Sequence, residues 1–317
     1  MDDCDQMTDK PLQIKEFLGP AEDRYFAQGY QSVLYSLHSV IKAHSGLAEA
    51  VCEVVYPPRW SARHRDEECS VPHLSSVDAV ILSLKLLENI SSVEELNALS
   101  LYRVSCIDLT AGSRPWLRLE AVPIRLSFKY DKGSLVSKAQ VGNIRVGITL
   151  VKDNSGSRLC SLPRGPETVY SHLFQTTEGN SLVQSLNSEH GILRSEHDLR
   201  ANNATFSAPG IEALRWPSVT VIDYLVTMGQ LTQVLVYSYA GTSRSEAGAL
   251  WMRTMKIRID KPSAPLPVNF KAETKILRDQ VWKIDGKRIH DVKVESSASS
   301  GASAQATLAY EEASTRW

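Results

Sequence analysis

His73-Leu-Ser-Ser-Val-Asp-Ala79 runs directly into Val80-Ile-Leu-Ser-Leu-Lys-Leu-Leu-Glu88. Val77, Val80, Ile81, Leu84 and Leu87 recur at the spacing of one helical face. Leu82 and Leu86 widen that face until little of the cylinder is polar, so the helix must be mostly buried. Ser75 or Ser76 suits the N-cap. Asp78 falls in the first turn, where unpaired backbone N–H groups and the helix dipole favour a carboxylate. Asp78 therefore has two readings. It is a first-turn cap, or, with His73 five residues before it, it is half of an acid–base pair at the head of a buried helix.

A second stretch has the same design. Trp216-Pro-Ser-Val-Thr-Val-Ile-Asp223 leads into Tyr224-Leu-Val-Thr-Met-Gly-Gln-Leu-Thr-Gln-Val-Leu-Val-Tyr-Ser-Tyr239, and Asp223 lies 145 positions after Asp78. Downstream, Ala121-Val-Pro-Ile-Arg-Leu-Ser-Phe128 resembles Leu266-Pro-Val-Asn-Phe-Lys-Ala272 at nearly the same displacement, and Tyr102–Asp108 corresponds roughly to Trp251–Ile259. One offset across three elements implies an internal duplication. The halves would be 1–152 and 167–317, joined by a turn-rich linker at 153–166.

The composition narrows the function. Across 317 residues, 35 Lys and Arg oppose 36 Asp and Glu, so charge gives no ground for a nucleic-acid or membrane-surface partner. No apolar run reaches the ~20 residues of a membrane span. The acidic start, Met-Asp-Asp-Cys, lacks the basic-then-apolar pattern of a signal peptide, which leads to the expectation of a cytoplasmic protein. Cys4, Cys52, Cys69, Cys106 and Cys160 form no Cys-x-x-Cys pair, so neither a disulfide framework nor a zinc site is indicated. No cofactor motif of the P-loop, Gly-x-Gly-x-x-Gly or His-Glu-x-x-His kind occurs, and no metal site is expected.

In chain order, Gly19-Pro20 marks a turn before a short irregular segment to Tyr30. Strands are expected at 32–40 and 48–56, then the first long helix, then a satellite helix at 92–99 opened by a Ser92/Glu95 capping box. Strand-like runs follow at 101–109, 117–130 and 140–151, with a hairpin at Asp131–Ser134. In the second half, 169–176 is strand-like and 178–208 reads as a loop-rich excursion, with Glu196-His197-Asp198 as a solvated polar cluster. The second helix spans about 218–239, and strands follow at 250–259, 268–277, 288–297 and 302–310. A long helix followed by an antiparallel sheet, twice over, is an α+β pattern and the layout of a double hotdog, in which each curved sheet wraps a central helix.

On the second helix Asp223, Thr227 and Gln230 fall at i, i+4 and i+7, a polar stripe on an apolar cylinder. Such groups are hydrogen-bonded inside, exposed, or lining a cavity, since burial without a partner costs about 1–3 kcal/mol each. Gly229 in mid-helix costs about 1 kcal/mol relative to Ala, which implies close packing by a neighbouring element or a ligand. Lys85 is either a snorkelling lysine or a ligand contact. His73, with an ordinary pKa of ~6.5, is a cap or a general acid–base. His290-Asp291 lies on a strand, where neighbours point to opposite faces and form no dyad.

His73-x-x-x-x-Asp78-Ala79 has the spacing of the His-Pro-x-Leu-Leu-Asp-Ala signature of double-hotdog dehydratases, with Leu74 in place of the proline. Together with Phe17-Leu-Gly-Pro-Ala-Glu-Asp-Arg-Tyr-Phe-Ala-Gln-Gly-Tyr30, this pattern resembles the avirulence protein D family of plant-associated bacteria over nearly the whole chain. That resemblance implies a part in making syringolides, acylated sugar-derived elicitors. A more distant likeness is to the γ-butyrolactone autoregulator synthases, which join a β-ketoacyl chain to a small hydroxylated acceptor. Their Glu–x–x–Arg–Gln helix pattern is replaced here by Asp78 and Asp223.

The implied function is an acyltransferase or condensing enzyme that takes a β-ketoacyl thioester, borne by CoA or acyl carrier protein, to a sugar-like acceptor. Asp78 and Asp223 would be acid–base or orienting groups around one apolar slot, with His73 as proton carrier. Thr227, Gln230, Gly229 and Lys85 would contact substrate. The chain would be a monomeric double hotdog or a homodimer. The alternatives are a hotdog dehydratase or thioesterase, which would release an alkene or a free acid, and a non-catalytic virulence protein that binds a partner.

Overall fold

The computed structural model describes residues 11–43, 46–58, 60–61, 71–153, 167–202, 209–246 and 250–312. The expected linker, apart from Asp153, and the charged stretch 62–70 lie outside the described residues.

Thirteen strands form one antiparallel sheet. They are β1 (Leu12–Gln13), β2 (Leu34–Ala43), β3 (Leu47–Val55), β4 (Tyr102–Thr110), β5 (Val122–Asp131), β6 (Ser134–Val141) and β7 (Ile144–Lys152) before the gap at 154–166. After it come β8 (Thr177–Asn187), β9 (Ile192–Ala201), β10 (Trp251–Ile259), β11 (Val268–Ile284), β12 (Lys287–Ala298) and β13 (Ala302–Glu311). The α-helices among the described residues are α1 (Ile14–Leu18), α2 (Ser76–Asn89), α3 (Val93–Leu99) and α4 (Val221–Tyr239). Reading outward from the middle, one side runs β4-β7-β6-β5-β3-β2 and the other β10-β13-β12-β11-β9-β8. Both sides have the same chain order: two strands, a long helix, then four strands. The seam is the β4–β10 ladder, from Cys106 opposite Arg258 to Thr110 opposite Thr254.

Helices α2 and α4 pack on each other and on the sheet. Val77 through Leu82 and Leu84 to Leu87 are buried in α2, except for half-buried Lys85, and α4 is buried from Val221 to Gly229. Each fully buried Leu, Ile or Val contributes roughly 1.5–3 kcal/mol. β1 and α1 cross over to pair with β8 and to pack Ile14 and Leu18 against Leu231, Val234 and Leu235 of α4. The segment from Gln13 to Gln31 thereby becomes a wall of the second side.

Several sequence expectations need correction. Residues 140–151 are not one strand, because Gly142, at φ +54°, turns the chain between β6 and β7. Residues 169–176 are turns ending in a 3-10 helix at Leu173–Thr176, not a strand. Within the excursion expected at 178–208, residues up to Ala201 form instead the long hairpin β8–β9, and 203–208 lie outside the described residues. The inward positions on β9 are Leu193, Ser195, His197 and Leu199, all buried, and the polar pair in the middle breaks the alternation by which a strand is recognised. His197 is thus a core residue, not part of a solvated cluster.

Two buried glutamates tie the halves at one end of the helices. Glu88 on α2 accepts the Ile211 N–H at 2.8 Å and the Thr168 hydroxyl at 2.5 Å. A Cβ at Gly210, where φ is +101°, would fall on the Glu88 carboxylate. Glu212, itself left-handed at φ +64°, accepts the Tyr170 hydroxyl and the Val104 N–H at 3.3 Å. Burial pushes Glu88 up to about 8 and Glu212 up to about 7. Both groups bind protons more tightly in the folded chain than in the unfolded one. Folding stability therefore falls as pH rises through the window between the unfolded carboxylate range and these values. The unfolding free energy, measured by denaturation at constant ionic strength, is expected to drop between about pH 5 and about pH 8 by several kcal/mol in total. Glu88→Gln should flatten that slope; an unchanged slope would show that Glu88 is not its source.

Candidate functional site

Asp78 and Asp223 occupy the same local device. In α2 the Ser75 hydroxyl accepts the Asp78 N–H at 3.1 Å while the Asp78 carboxylate accepts the Ser75 N–H at 2.8 Å. In α4 the Thr220 hydroxyl accepts the Asp223 N–H at 3.3 Å while the Asp223 carboxylate accepts the Thr220 N–H at 2.7 Å. Each aspartate is therefore the third helical residue of a reciprocal capping box, which satisfies two backbone donors at a buried helix end. Ser92 and Glu95 build the same box on α3, as their spacing predicts.

Beyond the cap the two aspartates differ. Asp78 is fully buried. Tyr25 and Tyr35 donate to its Oδ1, each at 2.7 Å, and Tyr56 donates to its Oδ2 beside the Ser75 N–H. Burial, and then the Asp78 charge, hold all three phenols well above the usual tyrosine range, so they remain donors. With two donors on each oxygen, the carboxylate is saturated. The tyrosines come from the N-terminal segment, β2 and β3, and only the folded sheet gathers them.

Asp223 is 2% exposed but lines a cavity of about 570 Å³. Its Oδ2 takes both the N–H and the hydroxyl of Thr220, the latter at 2.9 Å. Burial raises its pKa to about 6, with the Thr220 donors opposing. The Thr177 hydroxyl lies close enough to favour the Asp223 charge, yet it is buried and makes no hydrogen bond of normal geometry. Thr227 and Gln230, the rest of the helical stripe, line the same cavity with Tyr30, Gln31, Asn180 and Ser181. Gln230 Oε1 accepts Arg24 at 2.7 Å, which leaves its amide N–H groups to donate. Ser181 pairs its hydroxyl with His197 Nδ1 at 2.7 Å, and His197 Nε2 meets Ser195 at 2.8 Å; burial lowers this histidine to about 4.

His73 lies elsewhere. It lines a smaller cavity of about 160 Å³ with Trp60, Trp116 and Trp251. Its ring stands edge-on to Trp60 and is stacked near Trp251, and Nδ1 is 3.2 Å from the Val71 carbonyl. Arg24 and Phe26 line both cavities. Phe26 is also the neighbour of Gly229, where a Cβ would meet its ring at 3.4 Å, an ordinary packing contact, so this neighbour does not itself require the glycine. Lys85 lines neither cavity; its ammonium donates to the Tyr35 carbonyl at 3.2 Å and the Ser171 carbonyl at 3.4 Å.

The expectation of a single apolar slot shared by both carboxylates is therefore overturned. Asp78 is sealed in by tyrosines, Asp223 faces a largely polar cavity, and His73 stands in an aromatic one. Sequence reading missed Tyr25, Tyr35, Tyr56, Arg24 and Thr177, because the partner that gives each its role is 22 or more residues away and no local period links them. Among the described residues no group of three or more His, Cys, Asp or Glu is placed to hold a metal, and no helix is long and apolar enough to cross a membrane. Cys52 and Cys106 are free thiols.

Asp78→Asn should lower unfolding stability by about 2–4 kcal/mol, because an amide cannot accept from four donors and turns its N–H₂ toward phenols. Chemical denaturation checks this, and a loss under 0.5 kcal/mol would show that the tyrosine cage is not held by charge.

Among solved structures, the chain is similar to a hot dog fold protein of unknown function from Alicyclobacillus acidocaldarius, at 9% identity and a TM-score of 0.44 over 88% of this chain and 97% of that one. It is also similar to the 12:0-ACP thioesterase from Umbellularia californica, at 9% identity and TM-score 0.42 over 90% and 99%. The dehydratase domain of PpsC from Mycobacterium tuberculosis, in complex with C12:1-CoA, matches at 10% identity and TM-score 0.35 over 87% and 97%. No curated protein matches the chain. The family model described as Pseudomonas avirulence D protein (AvrD) matches residues 12–310, and the chain therefore belongs to the AvrD family.

Proposed function

We propose that this chain is a double-hotdog biosynthetic enzyme that acts on a β-ketoacyl thioester and joins the acyl unit to a small sugar-like acceptor. The product would be an acyl-sugar-derived signal of the syringolide kind. The observation that carries this reading is the polar cavity at the head of α4. There a buried carboxylate titrating near neutrality, Asp223, shares a wall with the hydroxyls of Thr177 and Thr227 and the oriented amide of Gln230. A cavity so rich in donors and acceptors suits a polyhydroxylated molecule, because each buried polar wall group left unpaired costs about 1–3 kcal/mol. The repeated order of two strands, helix and four strands supports the double-hotdog reading, with halves 1–152 and 167–317.

In this reading Asp223, ionised above about pH 6, takes the proton from an acceptor hydroxyl. The hydroxyl oxygen bonds to the thioester carbonyl carbon, the C–S bond breaks, and the leaving thiolate takes the proton that Asp223 accepted, which restores the carboxylate; His73, in the other cavity, has no part in this step. Gln230 and Thr227 hold the acceptor oxygens, and the Phe26 ring lines both cavities. Asp78 is an anchoring group that fixes the tyrosine cluster and the head of α2. Lys85 fastens α2 to β2 through backbone carbonyls.

The test supplies a β-ketoacyl-CoA and a panel of small polyols and reads products by mass spectrometry. An acylated polyol is expected. Free acid alone would favour a thioesterase and loss of water alone a dehydratase. Asp223→Asn should reduce kcat by about 10²–10⁴-fold. It should also abolish the limb of the wild-type pH–rate profile near pH 6. Wild-type turnover in that variant would remove Asp223 from the chemistry.

A further inference from the structure

The wall that β8 gives to the Asp223 cavity contains a hydrogen-bond chain that the transfer chemistry above does not use. Ser181 on β8 lies directly across the ladder from His197 on β9, and its hydroxyl is 2.7 Å from His197 Nδ1. His197 Nε2 is 2.8 Å from the hydroxyl of Ser195, two residues back on the same face of β9. Ser195 in turn donates to the Ala272 carbonyl on β11 at 3.4 Å. The imidazole is fully buried and stacked on Phe270, with ring centroids 5.0 Å apart. Burial lowers its pKa to about 4, so at neutral pH it has one N–H and one bare nitrogen.

The carbonyl at the far end gives the chain a direction. A carbonyl oxygen only accepts, so the Ser195 proton is committed to Ala272, and the Ser195 oxygen takes the His197 Nε2–H. His197 Nδ1 is then bare and takes the Ser181 proton. A hydroxyl has one proton, and with it given to His197, Ser181 meets the cavity through lone pairs alone. The opposite case stands on α4, where the Gln230 amide oxygen already accepts Arg24 and its N–H groups are left for the cavity. Thr177, on the same face of β8 as Ser181, lines the same cavity with a buried hydroxyl that has no partner of normal geometry. Such a group is costly to bury, and a polar ligand relieves it.

We propose that Ser181 is a specificity-determining residue: locked as an acceptor by His197 and Ser195, it admits a ligand that presents a free hydroxyl as donor, while Gln230 donates to a second oxygen of the same molecule. This rests on the polyol-acceptor reading above and narrows it. At the position facing Ser181 a hydroxyl is not interchangeable with an ether, a carbonyl or a fluorine, because each of those sets lone pair against lone pair. A wall built to pair with a hydroxyl rejects the analogue that lacks its proton.

Calorimetry on the full chain tests this with ribose and xylose. Each is compared with analogues in which one hydroxyl at a time is replaced by fluorine, which is close to a hydroxyl in size but has no proton to donate. In the wild-type chain one position should lose about 10- to 100-fold in affinity. In Ser181→Ala the same replacement should cost less than about twofold, while penalties at the other positions remain. Ser195→Ala removes the direction of the chain, so that His197 can carry its proton on Nδ1 and donate to Ser181; fluorine at the sensitive position should then be tolerated. Independently of any ligand or variant, the imidazole nitrogen resonances of His197 should show the Nε2–H form, unchanged between about pH 5 and about pH 8. An Nδ1–H imidazole, a fluorine penalty that persists in Ser181→Ala, or no binding of either sugar overturns the proposal. Sugar binding with this coupling but without acyl transfer sinks only the transfer reading. Acyl transfer to a polyol that tolerates fluorine at every position sinks only this one.

Discussion

A helix that turns almost no side to water has to be covered nearly all round, and the described residues contain two. α2 and α4 are each too apolar to rest on a surface, and each contributes on the order of ten buried side chains worth roughly 1.5–3 kcal/mol apiece. A curved antiparallel sheet covers one flank of each helix, and the other helix and the N-terminal segment cover the rest. The β4–β10 ladder joins the two sheets and removes two edges that would otherwise present unpaired backbone groups. The relative position of the helix heads, and with it of both cavities, follows from that seam.

Burying a helix completely makes its first turn a problem, since four N–H groups there have no partner in the helix. Both long helices solve it with a hydroxyl at the N-cap and a carboxylate three residues on. The device is the same in each, but its surroundings are not. Around Asp78 three tyrosine hydroxyls complete the coordination, and the charge is spent entirely on structure. Around Asp223 the donors stand mainly on one oxygen, which leaves the carboxylate to face the cavity as well, and burial raises its pKa to about 6. One capping motif can therefore yield a sealed group in one half and a chemically accessible one in the other.

The N-terminal segment makes that difference. By crossing to β8 and α4 it brings Tyr25 to Asp78, Tyr30 to the Asp223 cavity, and Arg24 and Phe26 to the partition between the two spaces. It also breaks the symmetry of the repeated halves, since a single copy serves both. A duplicated architecture with one unduplicated strap naturally ends with two unlike cavities, one polar and one aromatic.

Much of this was legible in the residues themselves. Apolar periodicity located α2 and α4, the Ser-x-x-Glu pattern located α3, Asp-Lys-Gly-Ser located a hairpin, and the fixed offset exposed the repeated order of elements. The i, i+4, i+7 stripe placed Asp223, Thr227 and Gln230 on one helical face, and the tertiary structure puts a cavity there. These features are local, set by the 3.6- and 2-residue periods and by turn chemistry. The hairpin β8–β9 was hidden because Ser195 and His197 satisfy each other inside the core, so burial no longer coincided with apolarity. The tyrosine cage on Asp78 and the separation of His73 from Asp223 were settled only by the fold. Each joins groups far apart in the chain, and no local period encodes which distant side chain will share a buried charge.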